Sequence, residues 1–232
     1  MSDRVELATA KGVVVYGEGA EEATPLAALL AGAGPWELEL GFGKGRFLLA
    51  RAAAEPGRRF LGIELAREYF RLAAGRLVRR RLANLALLRG EALALLATEL
   101  PRGFASALHV YFPDPWPKSR HQKRRLFSAE SVDLLLGAVA PSGALYFATD
   151  HLDYGGEVRA LLESYPGLAV VERAGGWPEG ARTNYEAKFV AAGRPILRLE
   201  ARIEGALELH PRGERRILAA VGGPPSEPVA VA

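Results

Sequence analysis

Apolar and polar positions along the chain change period many times, and each change predicts an element. Trp36-Glu37-Leu38-Glu39-Leu40 alternates as a strand does, and Gly41-Phe42-Gly43-Lys44-Gly45 turns out of it. From Arg46 to Glu55 the apolar positions Phe47, Leu48, Ala50 and Ala54 have helical spacing. Arg59 to Glu64 predicts a buried strand, and Arg67 to Leu82 a helix with Phe70, Ala73, Ala74 and Leu77 on one face. Leu85 to Leu88 is the next strand, Ala92 to Leu100 the next helix, and Ala107 to Phe112 a further strand. Ser128 is placed to cap a helix running to Val139, after which Pro141-Ser142-Gly143 turns into a strand from Ala144 to Thr149. A helix from Glu157 to Ser164 and a strand from Leu168 to Glu172 follow. The rhythm then shifts, and both Glu186 to Val190 and Ile196 to Ile203 predict strands. Before Pro35 only Val13 to Tyr16 carries a strand pattern. The stretch Gly222 to Pro228 is rich in breakers, which predicts a disordered tail.

Strand and helix alternating at short spacing predict parallel βαβ units in an open, doubly wound α/β sheet. Composition sets limits on what that sheet does. A chain of 232 residues, 49% of them hydrophobic, has enough apolar side chain for a normal core. No apolar run is long enough to span a membrane. Met1-Ser2-Asp3-Arg4 lacks the basic-then-apolar order of a secretory signal. With no cysteine, disulfides, thiolate metal sites and thiol catalysis are excluded. These features fit a cytoplasmic protein without a metal. The net charge is only +3, so any electrostatic footprint must come from local clustering.

In a doubly wound sheet ligands bind outside the carboxyl ends of the strands, and acidic residues collect there in this chain. Glu39 precedes the glycine turn, where Arg46 stands in the place of the third glycine of the dinucleotide fingerprint. A carboxylate there is unsuited to pyrophosphate and suited to a positive ligand, such as the amine and sulfonium of S-adenosylmethionine. Glu64 closes the next strand about 20 residues later, where a carboxylate accepts from both hydroxyls of a ribose. Glu91 follows the third strand; it can accept the exocyclic amine of adenine, or simply sit at a helix N-terminus where the dipole favours it. The densest signal is Phe112-Pro113-Asp114-Pro115-Trp116-Pro117-Lys118-Ser119-Arg120-His121-Gln122-Lys123-Arg124-Arg125. Its prolines exclude helix interior and central strand, so the loop holds Asp114 and Trp116 in place. The positive run that follows contains no acid and can grip a phosphate backbone, although such a run also serves as a solvated face. Arg71, Arg76, Arg79, Arg80 and Arg81 form a second basic cluster on a predicted helix. Ala148-Thr149-Asp150 ends another strand, and Arg182-Thr183-Asn184-Tyr185-Glu186 is a polar cluster that a capped loop would explain.

In this order, over roughly residues 36 to 200, these blocks resemble the bacterial tRNA (guanine-N(7)-)-methyltransferases, together with Phe60-Leu61-Gly62-Ile63-Glu64 and Thr183-Asn184-Tyr185-Glu186-Ala187-Lys188-Phe189. The resemblance implies a Rossmann-like class I methyltransferase domain over residues 35–204, mostly parallel with an antiparallel strand near its C-terminal end. Residues 1–34 are then a separate N-terminal segment and 205–232 an extension. It implies S-adenosylmethionine as cofactor and tRNA as partner, with methylation of guanine N7 in the variable loop, at tRNA position 46. Position by position it implies Asp114 as the catalytic residue, with Glu39, Gly41, Gly43, Glu64, Glu91 and Asp114 around the cofactor. Lys118, Asp150, Thr183, Asn184, Tyr185 and Glu186 match substrate positions, and Arg120, His121, Gln122, Lys123, Arg124 and Arg125 match the RNA-contacting run. Many members carry Asp or Asn where this chain has Glu91. Two alternatives stand beside this reading. An amino-group methyltransferase usually has a second adjacent proline, which Asp114-Pro115-Trp116 lacks. Against a non-catalytic tRNA-binding module stands the intact set Glu39, Glu64 and Asp114. The oligomeric state stays open.

Overall fold

The structure, a computed structural model, describes residues 5–16, 25–31 and 34–209. The tail expected to be disordered lies outside the described residues. The elements are β1 (Val5–Thr9), β2 (Gly12–Tyr16), α1 (Pro25–Leu30), β3 (Trp36–Leu40), α2 (Arg46–Ala54), β4 (Arg59–Glu64), α3 (Arg67–Arg80), β5 (Leu85–Arg89) and α4 (Ala92–Thr98). Then follow β6 (Ala105–Tyr111), a 3-10 turn over Ser119–Arg124, α5 (Val132–Gly137), β7 (Val139–Thr149), α6 (Leu152–Glu163), β8 (Leu168–Glu172), α7 (Asn184–Ala191) and β9 (Leu197–Ile203).

The strands form one sheet in the order β2-β1-β5-β4-β3-β6-β7-β9-β8. From β5 to β7 every pairing is parallel, as the βαβ rhythm predicts. β9 enters antiparallel between β7 and β8. The order reverses at β3, which lies between β4 and β6, so the crevice for a ligand opens at the carboxyl ends of these strands. One face of the sheet packs Leu38, Leu40, Ile63, Val110 and Phe147 against α5 and α6. The other packs Phe47, Leu48, Phe60, Phe70 and Leu77 under α2 and α3. Because helices cover both faces, all five residues of β3 are buried, including the acidic Glu37 and Glu39. No helix among the described residues is long and apolar enough to cross a membrane.

Of the residues before 35, Val5, Leu7 and Ala8 are buried, and β1 pairs with β5 through Glu6–Arg89, Leu7–Leu88 and Ala8–Leu87. Three expectations change. Glu186 to Val190 is helical, because the Thr183 hydroxyl accepts the Glu186 N–H and caps α7. Ser128 opens a turn, its carbonyl accepting from Ser131 and Val132, so α5 begins only at Val132. Pro141 to Gly143 is no free turn but a bulge within β7, where Val139 pairs with Ala105 and Ala144 with Ala107.

Candidate active site

A cavity of about 810 Å³ opens at the carboxyl ends of β3, β4, β5 and β6. Its inner wall is built by the glycine turn. Gly41 and Gly43 have φ of 70° and 53°, values that L side chains resist, and a Cβ on either would point into open space. The turn is fixed from below: Gly41 N–H donates to the Ile63 carbonyl at 2.8 Å, and Gly43 N–H donates to Glu64 Oε2 at 2.8 Å. Glu64 Oε1 accepts the Ala66 N–H at 2.8 Å, so this carboxylate is held at the mouth of β4 with little freedom.

Glu39 lies deeper. It is 3% exposed, and its Oε2 has no hydrogen-bond partner. Burial pushes its carboxyl up to about 8 and the neighbouring Glu64 adds to this; the Leu48 backbone and the Arg182 charge act in the opposite sense. A buried acceptor without a partner is costly unless a ligand supplies one. A cation in the cavity would do so, and S-adenosylmethionine has the matching features: a positive amine and sulfonium for Glu39, a ribose diol for Glu64, and a thin edge for the glycine backbone.

The opposite wall carries the proline-rich loop. Phe112 and Trp116 hold φ of 53° and 40°, a strained conformation for side-chain-bearing residues. The strain is held by contacts: Phe112 N–H donates to the Ala148 carbonyl at 2.7 Å, and Trp116 stacks edge-on against His121 with Arg124 over its ring at 5.0 Å. Asp114, exposed, thereby faces the cavity. Thr183, Asn184 and Tyr185 close the rim from α7, and Arg46 reaches Asn184 across it at 3.3 Å.

Residues 33–199 match a family described as "Putative methyltransferase". The chain is 38% identical over 159 residues to the tRNA (guanine-N(7)-)-methyltransferase of Nitrosococcus oceani, covering 68% of this chain and 67% of that protein. It is 40% identical over 172 residues to the protein of that name from Treponema pallidum, covering 70% and 64%. The chain belongs to the tRNA (guanine-N(7)-)-methyltransferase family. The matched part spans about two thirds of each of these relatives. A 30S ribosomal A1408 methyltransferase from an uncultured bacterium has the same fold at a TM-score of 0.55, with 15% identity over 85% of this chain and 99% of that one.

Within this family member the residues singled out from the sequence separate into three groups. Glu39, Gly41, Gly43, Glu64, Glu91, Asp114, Thr183, Asn184 and Tyr185 all line the cavity. Lys118, Arg120, Gln122 and Lys123 stand exposed on the loop and the 3-10 turn beyond it; His121 is half-buried against Trp116. The remaining residues have protein partners. Glu186 is fully buried: it accepts the Arg182 N–H at 2.8 Å and the Arg198 guanidinium at 2.6 Å, and so holds α7 to β9. Arg125 is buried too, donating to the Pro115 carbonyl at 2.8 Å and pairing with Glu157, its guanidinium over the Tyr154 ring. It tethers the loop. Asp150 pairs with Arg194 at 2.7 Å and does not line the cavity. Glu91, at the cavity, also caps α4, accepting from Leu93 and Ala94 N–H at 3.2 and 2.7 Å.

Sequence reasoning passed over Arg182 as a site residue and Tyr111 and His109 altogether. Arg182 is buried among the rings of Trp177, Tyr146, Phe47 and Tyr111, with its carbon at 4.0 to 5.7 Å from their centres. The only signal was an arginine directly before a capped helix, and the aromatic partners come from four separate segments.

Proposed function

We propose that this cavity transfers the methyl group of S-adenosylmethionine to N7 of guanine in tRNA, at the variable-loop guanosine of position 46. The observation that carries the reading is one cavity with Glu39 and Glu64 on its inner wall and Asp114 on the outer, bordered by a basic loop. The bound cofactor supplies a methyl group on a sulfonium that an in-line nucleophile displaces. Guanine N7 already presents an in-plane lone pair, so no residue has to act as a strong base. The chain's work is positioning and electrostatics. Glu39 offers its unpaired oxygen to positive charge, and Glu64, fixed by two backbone N–H groups, receives the ribose hydroxyls. Asp114 approaches from the β6 side, where its carboxylate favours the positive charge that develops on the guanine ring. Lys118, Arg120, Lys123 and Arg124, exposed beside it, are the tRNA-phosphate track that brings the base to the rim.

Asp114→Asn tests the assignment. Cofactor affinity, measured by calorimetry, should stay within about twofold, while methyl transfer to unmodified tRNA should fall on the order of 100- to 1,000-fold, as for loss of one electrostatic group in a preorganised site. Wild-type turnover by the folded variant would remove Asp114 from the mechanism.

A further inference from the structure

Two functional segments start from neighbouring roots. Tyr111, the last residue of β6, precedes the strained Phe112 and the Asp114 loop. Arg182 precedes Thr183, Asn184 and Tyr185, which close the rim. The two roots are bonded to each other: Arg182 Nη1 donates to the Tyr111 hydroxyl at 2.5 Å. Tyr111 lines the cavity, and the Arg182 side chain that reaches it is only 10% exposed. Its guanidinium is held in place by Glu179 at 2.6 Å and by the rings of Trp177, Tyr146 and Phe47.

The Tyr111 hydroxyl does not end the chain of bonds. It lies 2.8 Å from His109 Nδ1, and His109 Nε2 lies 3.3 Å from Glu37 Oε2. Glu37 accepts from Arg51 at 3.1 Å and from Arg58 at 2.8 Å, so it is an ionised acceptor. One donor direction then satisfies every group. Arg182 donates to Tyr111, Tyr111 donates to Nδ1 of a neutral His109, and Nε2–H of His109 donates to Glu37. Burial pushes His109 down to about 4, which keeps it neutral and leaves Nδ1 free to accept. Stacking on Tyr146, with ring centres 5.0 Å apart and planes 12° from parallel, fixes the imidazole. A single hydrogen-bonded line therefore runs from the outer face of α2, through the buried face of β3 and β6, to the root of the substrate rim.

We infer that Arg182 and Tyr111 form a positioning couple for the methyl-transfer reaction: their bond locks the Thr183–Tyr185 rim against the Asp114 loop, so that the base and the reacting methyl are held in line. This rests on the reading of the cavity as a guanine-N7 methyltransferase site. Neither residue of the couple need touch the reacting atoms. The guanidinium fork sets the distance between the two segments, and the His109–Glu37 line sets the orientation of the hydroxyl that receives it. A misplacement of about 1 Å in such a site costs on the order of 100-fold in rate; cofactor affinity depends on Glu39, Glu64 and the glycine turn, and Arg182→Lys keeps the positive charge that faces Glu39.

Tyr111→Phe keeps the ring and removes the hydroxyl; Arg182→Lys keeps the charge and removes the fork. Both variants and their double are assayed as folded proteins by single-turnover methyl transfer to unmodified tRNA at saturating cofactor, with cofactor affinity measured separately. Each single variant should slow the transfer step about 10- to 100-fold with cofactor affinity within about twofold, and the double should be no slower than the worse single, because both substitutions break one bond. Multiplying losses in the double, or wild-type transfer by either folded single variant, overturns the couple. An inactive wild type under the same conditions indicts the reading of the cavity instead.

Discussion

Glu39 shows how much of this site is decided by one side chain's surroundings. The period-2 pattern of β3 puts it on the face covered by α2, and a buried carboxyl with Glu64 nearby holds its proton up to about pH 8. The charged groups that face it are Glu64 and Arg182. Since its native pKa lies above the ordinary 4.5, the proton it retains adds stability to the free protein below about pH 4.5, and this is lost as pH rises through 8. A cationic cofactor reverses the preference and favours the carboxylate. Binding of S-adenosylmethionine near neutral pH should therefore release a proton, and affinity should rise with pH and level off above about 8. Calorimetry in two buffers of different ionisation enthalpy measures that proton; Glu39→Gln should abolish the release and the pH dependence together. Unchanged proton release in the Gln variant would place the titrating group elsewhere. At this scale the sequence carried the acids at the cavity, since strand ends and a glycine turn locate Glu39, Glu64 and Asp114. It could not separate them from Glu186, Arg125 and Asp150, whose charges are consumed by Arg198, Glu157 and Arg194 from distant parts of the chain.

Elements position what residues supply. The Asp114 loop is stiffened by its prolines, but its placement depends on Arg125, which ties the Pro115 carbonyl to α6 through Glu157. Arg125→Ala should lower stability by about 2 kcal/mol, the loss of charge-assisted hydrogen bonds from a buried group, and slow methyl transfer as the loop loosens. Lys123→Ala, two residues away and exposed, should leave the melting temperature almost unchanged and reduce the salt slope of tRNA binding by about one. Thermal melts and binding titrations across salt concentrations distinguish the two; equal destabilisation would mean the positive run is uniform after all. From charge alone these two residues look alike. The same limit hid α7, whose Phe189 and Val190 suggest a strand, although Thr183 and Glu186 have the spacing of a helix start. Strands bounded by glycine or buried on both sides, such as β4 and β8, were legible to the residue.

The whole molecule is a doubly wound sheet extended at one edge by the β1–β2 hairpin, which the linear pattern did not reveal because β1 is defined by its pairing with β5. What the linear pattern did carry was the ligand-binding edge, since βαβ alternation and acids at successive strand ends put the candidates at the carboxyl edge of the sheet; the reversal of strand order at β3 depends on pairings between distant segments. The account of that crevice makes a claim about a product. Unmodified tRNA transcript, wild-type protein and methyl-labelled S-adenosylmethionine should yield, after digestion to nucleosides, label in 7-methylguanosine, mapped to the variable loop. Label in a methylated adenosine or in an exocyclic amino group, or no label from a protein that binds the cofactor, would contradict it.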